Sequence, residues 1–164
     1  NIHRFDYKAL KFGGYIFIGM RGHSIPGRVK SKAFRKHKRI LDKLFKKFRK
    51  ENKLGKVIFV SHNIAFNTKL DIISVKSLHT ALKGYYGRKF NKKKNDQRHY
   101  GSKMARRIIN KWHPLLHLGG HIHESWGKDK IGKTILINPG AAHKGKAAVI
   151  DFDEGKIKKI RFVR

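Results

Sequence analysis

The chain has 164 residues, 39% of them apolar, with 41 Lys and Arg against 10 Asp and Glu, a formal charge of +31 and no cysteine. This length supports one core, so a single domain over residues 1–164 is expected, and the lack of cysteine excludes disulfides and thiolate sites, leaving histidine, carboxylate and amide groups for any metal. With no apolar run of about 18 residues and no signal pattern at Asn1, neither a membrane span nor secretion is expected, and the cytoplasm is the expected compartment.

In chain order, Tyr15-Ile16-Phe17-Ile18 reads as a strand between Gly13-Gly14 and Gly19. Ser31 is placed to cap a helix in which Phe34, Leu41, Leu44, Phe45 and Phe48 recur at helical spacing up to a stop at Gly55. Its other face carries a row of cations that includes Lys36, Arg39, Lys43 and Lys47. Val57 to Val60 is a buried-strand pattern running into Ser61-His62. The stretch from Asn63 to Tyr100 has weak periodicity and contains a basic insertion at about 73–98. Ser102 can cap a second helix with Ala105, Ile108, Ile109 and Trp112 inward and Pro114 as its stop. The strands Leu115–Leu118 and Thr134–Ile137 follow, the second closed by Asn138-Pro139-Gly140. Two further strands, 147–152 and 156–163, flank the hairpin signal Asp153-Glu154-Gly155. Strands alternating with helices, then a run of strands, imply an α/β layer structure with mixed pairing.

Gly120-His121-Ile122-His123-Glu124 directly follows a strand pattern, and His62 ends another. In open α/β sheets ligands gather at the carboxyl ends of the strands, so three imidazoles are expected to converge on one edge. Glycine before the pair is expected to supply the sharp turn. His3, His23, His37, His79, His113, His117 and His143 read as ordinary helix-end, strand or loop residues, and Asn138-Pro139-Gly140 as a structural turn.

The order Ser61-His62, Asn67-Thr68-Lys69-Leu70-Asp71, His99-Tyr100-Gly101-Ser102, Pro114–His117, Gly120–Glu124, Ile131–Thr134 and Asn138-Pro139-Gly140 resembles the calcineurin-like metallophosphoesterases, with the closest likeness to small archaeal members. The resemblance runs from about Gly14 to Asp151. It implies an α/β fold, here the C-terminal half of a two-sheet metallophosphoesterase sandwich with flanking helices and a basic insertion. It also implies a divalent metal pair (Mn, Fe, Zn or Ni), with His62 and His121 on one ion and His123 on the other, and His99 at the mouth of the site, touching substrate.

The family's first half brings an Asp-x-His pair, a bridging aspartate from a Gly-Asp motif and an Asn-His-Asp segment, and none of these occurs here. Asp6, Asp42, Asp71 and Asp96 lie in no such motif, and Ile64-Ala65 stands where the family has Pro-Pro. A site of three neutral imidazoles without a bridging carboxylate should bind hard cations poorly. The expectation is therefore a longer protein, a split or truncated gene, or a second chain supplying the N-terminal half. Starting at Asn1 without methionine favours the first of these.

Charge points to a polyanionic partner. Lys and Arg give sequence-independent affinity for phosphates, and tyrosines stack on unpaired bases. The expected contacts are Lys36, Arg39, Lys43 and Lys47 on the first helix, Lys83, Tyr85, Tyr86, Arg88, Lys89, Lys92, Lys93 and Lys94 in the insertion, and Arg106 and Arg107 on the second helix. RNA, and rRNA of the ribosome in particular, is the expected partner. Two functions follow: a metallophosphoesterase-fold protein bound to RNA, or a metal-dependent phosphodiesterase or phosphatase completed by an N-terminal half.

Overall fold

The computed structural model describes residues 5–21, 31–51, 53–74 and 99–164. Six strands form the main sheet: β1 (Ala9–Phe12), β2 (Tyr15–Met20), β3 (Val57–Asn63), β4 (Leu116–Gly120), β5 (Gly127–Ile131) and β6 (Thr134–Asn138), in the order β1-β2-β3-β4-β6-β5. The four central strands are mutually parallel, and β1 and β5 pair antiparallel at the two edges. The remaining strands, β7 (Ala147–Asp153) and β8 (Lys156–Val163), form a separate antiparallel ribbon.

The two edge strands escape the buried-strand pattern because each is short and largely exposed. Ala9-Leu10-Lys11-Phe12 is held by a turn through Gly13 and Gly14, both at positive φ. Gly127–Ile131 is a lysine-bearing strand fastened to β6 by the turn at Gly132-Lys133. Such strands owe their conformation to a partner's backbone rather than to their own burial.

Both helices start where the sequence places them. In α1 (Lys32–Lys50) the Ser31 hydroxyl accepts from the Phe34 amide at 3.1 Å, and in α2 (Lys103–Trp112) the Ser102 hydroxyl accepts from the Ala105 amide at 3.1 Å. α1 buries Phe34, Leu41, Phe45 and Phe48, with Leu44 only partly covered, and α2 buries Met104 in addition to the four residues of its expected stripe. α2 ends at His113 in the left-handed region, one residue before Pro114.

These helices cover one face of the sheet, where Ile16, Ile18, Val57, Phe59 and Leu136 meet them. The Phe45 ring stands edge-on to Phe59 at 5.6 Å and stacks with Trp112 at 6.1 Å. On the other face Ile58, Leu116 and Ile137 are covered by Ile150, Phe152, Ile160 and Phe162 of the β7–β8 ribbon. Central strands buried on both faces account for the unbroken apolar runs in β3, β4 and β6.

Asp42 locks α1 to α2. Its carboxylate accepts from Lys38 at 2.6 Å, Lys111 at 3.1 Å and the Trp112 indole at 2.8 Å. Burial pushes this carboxyl up, but the three hydrogen bonds outweigh it and hold it below the usual carboxylate range.

His117 lies wholly inside the helix-side core, opposite Phe59 in the β3–β4 register. Its Nδ1 meets the Phe59 carbonyl at 3.2 Å, while Nε2 is buried with no partner among the described residues. Burial holds its pKa down to about 4 from 6.5, against a small opposing pull from the Phe59 carbonyl. An unfolded His117 therefore takes a proton below 6.5 that the native one refuses until about 4, so stability is complete above 6.5 and falls as pH drops through that window. The expected loss is about 3 kcal/mol across the window, read from denaturant midpoints at several pH values. His117→Leu should flatten that part of the profile, and an unchanged pH dependence in the variant would refute the assignment.

Candidate metal centre

β3 and β4 run in parallel register from Ile58↔Leu116 to Val60↔Leu118 and resume at Asn63↔Gly120. Two residues of β3, Ser61 and His62, thus face the single residue Gly119 of β4, which makes a β-bulge. The Ser61 hydroxyl closes it by donating to the Asn63 carbonyl at 2.6 Å. Bulges re-aim side chains at strand ends, and here the redirected side chain is His62, exposed between buried Ser61 and Asn63.

Close approach of the backbones makes room for this. A Cβ on Gly119 would sit 2.8 Å from Ile64 Cα and 2.9 Å from its nitrogen, so only glycine fits. The left-handed turn itself falls on His121, at φ 73°, and not on Gly120, which completes β4. The expectation of a glycine turn is corrected accordingly: glycine supplies proximity and His121 carries the strain, a placement common where a side chain must be held in one direction.

His62 Nε2 and His121 Nδ1 face each other at 3.0 Å, with the rings tilted by 58°. Two nitrogens of one ion's coordination sphere, each about 2.1 Å from it and subtending a right or tetrahedral angle, lie roughly 3.0–3.4 Å apart. The spacing of the pair is that of two nitrogens on one ion, and in this respect the two residues fit a metal. Desolvation at the strand ends, with the charges of His62 and His123, keeps His121 below its ordinary pKa and so favours the neutral, ligating imidazole.

His123 does not join them. Its ring packs edge-on against His143, with centroids 5.4 Å apart, and among the described residues no three potential ligands meet at one point. The expected convergence of three imidazoles is thus realised as one facing pair and a third ring nearby. His143, read as an ordinary loop residue, is the neighbour that sequence spacing did not reveal.

Asn138 fixes the loop that bears His121 and His123. Its side-chain amide donates to the carbonyls of Ile122 at 2.8 Å and Ser125 at 2.9 Å, and its oxygen accepts from the Gly140 amide at 3.0 Å. The Asn138-Pro139-Gly140 turn is structural, as its sequence suggests. A cleft of about 390 Å³ opens beside His62 at the ends of β2 and β3, lined in part by Asp6, Met20, Arg21 and Ser61. Neither Asp6 nor Arg21 stands in a motif, so only the fold brings them there.

His99 is bound through Nδ1 to the carboxylate of Asp71 at 2.7 Å. Of the expected nucleic-acid contacts, Lys36, Arg39, Lys43 and Lys47 are exposed on α1. Arg106 gives Nη1 to the carbonyls of Asn67 at 2.8 Å and Phe66 at 3.3 Å, clamping that loop, and the Arg107 guanidinium lies 5.4 Å over the Phe34 ring. Lys83, Tyr85, Tyr86, Arg88, Lys89, Lys92, Lys93 and Lys94 lie outside the described residues.

Residues 75–162, more than half of the chain, match the model of the metallophosphoesterases of the calcineurin superfamily, and the chain belongs to that family. His99, His121 and His123 fall inside the matched span; His62 and Asp71 precede it. The chain is 33% identical over 88 residues to an uncharacterized protein of Methanocaldococcus jannaschii, a stretch covering 52% of this chain and 32% of that protein. A solved crystal structure shares the fold at a TM-score of 0.62 with 19% identity, over 96% of this chain and 52% of the solved one. The chain thus spans about a third of its curated relative and about half of the solved chain. No helix among the described residues is long and apolar enough to cross a membrane.

Replacing Asn138 by alanine removes the side-chain donor to the Ile122 and Ser125 carbonyls. A loss of about 1–3 kcal/mol in denaturant melts is expected, with faster amide exchange confined to residues 121–126. Uniformly faster exchange along the whole chain would show that Asn138 is not specific to this loop.

Proposed function

We propose that this chain supplies the histidine half of a metal-dependent phosphoesterase, and that His62 and His121 hold one divalent ion while His123 belongs to the second. The observation that carries the reading is the facing of His62 Nε2 and His121 Nδ1 at 3.0 Å on a bulge at the carboxyl edge of the parallel sheet, in a chain of the metallophosphoesterase family. In this reading the β7–β8 ribbon, with the sheet it covers, forms part of the family's two-sheet sandwich. The ions, of the Mn, Fe, Zn or Ni class, polarise phosphoryl oxygens and lower the pKa of bound water when present.

The chain's own contribution is orientation. The bulge directs His62, the left-handed His121 turns its ring back toward β3, and Asn138 keeps the loop from swinging away. The remaining ligands, carboxylates above all, come from elsewhere in the complete protein, in the same polypeptide or in a partner chain. Mn²⁺ should stimulate hydrolysis of a generic phosphodiester by the full-length protein. His62→Ala and His121→Ala should each lower it by more than about 100-fold and weaken Mn²⁺ binding in calorimetry. Undiminished hydrolysis in both variants would remove this reading.

A second reading rests on a different observation. Lys36, Arg39, Lys43 and Lys47 line the exposed side of α1, whose single acidic residue, Asp42, is already engaged by Lys38, Lys111 and Trp112. We infer a role as an RNA-binding scaffold, on the ribosome or on another structured RNA, with or without catalysis. Binding to single-stranded RNA should weaken steeply with salt. Replacing those four cations by glutamine should reduce the log–log salt slope by up to about 3, and a slope indifferent to the substitutions would place the contact elsewhere.

A further inference from the structure

Asp71 sits in no metal motif, yet it is the most heavily bonded carboxylate described. It is fully buried. One oxygen accepts from the amides of Asn67 at 3.0 Å and Gly101 at 2.9 Å. The other accepts from the Thr68 amide at 2.8 Å and His99 Nδ1 at 2.7 Å, while the Thr68 hydroxyl is shared between it at 3.3 Å and the Ala65 carbonyl at 3.1 Å. Every partner is a donor, which is the arrangement a buried carboxylate needs in order to stay satisfied.

The segment that carries His99 is gripped by the same loop. The Tyr100 amide donates to the Asp71 carbonyl at 2.9 Å, the Ser102 amide to Ile64 at 2.7 Å and the Phe66 amide to Ser102 at 3.1 Å. A Cβ on Gly101 would lie 2.7 Å from Ala65 and Phe66 backbone atoms, so the two segments cross as closely as backbones can. The Phe66 ring stands 5.9 Å from the imidazole. A side chain that was merely polar and at the surface would need none of this.

The far side of the ring is left open. His99 is 31% exposed, and its Nε2 has no partner among the described residues. It also lies next to the histidine loop. Ile72 bridges to His99, the Ile72 carbonyl accepts from the Ser125 hydroxyl at 2.5 Å, and the Ser74 amide donates to Glu124.

We propose that Asp71 is a positioning residue that holds His99 as the Nδ1–H tautomer, so that Nε2 accepts a hydrogen bond from the hydroxyl of a phosphate group bound beside the His121–His123 loop. The phosphate class of the ligand rests on the phosphoesterase reading; the Asp71–His99 geometry does not. A ring free to rotate would present either nitrogen, whereas one pinned to a buried carboxylate presents a single nitrogen in a single direction.

The test is ¹⁵N NMR of the imidazoles in the full-length protein, with inorganic phosphate as the titrant. The His99 signals should report a proton fixed on Nδ1, and Nε2 should shift as phosphate is added. His99→Gln should weaken phosphate binding on the order of tenfold, the size of one hydrogen bond. Asp71→Asn should release the tautomer and weaken binding similarly, with no further loss in the double variant. If Asp71→Asn fails to fold, the wild-type tautomer and His99→Gln still decide.

A proton on Nε2 in the wild type, a His99 signal indifferent to phosphate, or unchanged phosphate affinity in His99→Gln would overturn the proposal. Hydrolysis that continues in His99→Gln with unaltered KM and kcat would also overturn it and leave the phosphoesterase reading standing. A His99 that answers phosphate in a protein without hydrolytic activity would sustain the pair and remove the enzyme.

Discussion

The parallel pairing of β3 with β4 is the constraint on which the site depends. Apolar side chains bury both faces of these strands, and their register is therefore tightly specified along most of its length. At the carboxyl end one extra residue is accommodated, because Gly119 allows Ile64 to come within backbone contact. The bulge that results turns His62 toward the chain emerging from β4, where His121 is held in a left-handed conformation. Neither imidazole would reach the other if the two strands were regular or if residue 119 carried a side chain.

Scarcity of acid is the second theme. The described carboxylates are largely engaged in holding the fold. Asp42 joins the two helices, Asp71 gathers the loop around His99, Asp129 takes the Lys69 amide at 2.8 Å, and Asp151 and Asp153 pair with Arg161 and Lys158 across the ribbon. Cations are left in excess on the outside, above all on α1. A cation site at the sheet edge must therefore form against a positive field, which makes ligands of negative charge from beyond the described residues a physical requirement for a complete metal pair.

Much of the architecture was legible in the residues. Ser31 and Ser102 mark helix starts because a hydroxyl at that position satisfies an amide that would otherwise lack a partner, a rule needing no tertiary information. The runs at 57–60, 115–118 and 134–137 read as buried strands because both of their faces are covered. The edge strands Ala9–Phe12 and Gly127–Ile131 were not legible, since a short, largely exposed strand has no burial pattern of its own. Asp71 escaped for a related reason: its partners Gly101 and His99 lie 30 and 28 residues along the chain, and only the fold makes them neighbours.

The sequence by itself determined that strands end in His62 and in the His121-Ile122-His123 loop, because apolar patterning is local and the position of a histidine after it can be read directly. Only the tertiary structure decided which imidazoles meet. The pairing of His62 with His121, the turn of His123 toward His143 and the capture of His99 by Asp71 all depend on register and backbone approach between distant segments. Those are settled by how closely glycines allow two chains to come together, a quantity that no local pattern of residues records.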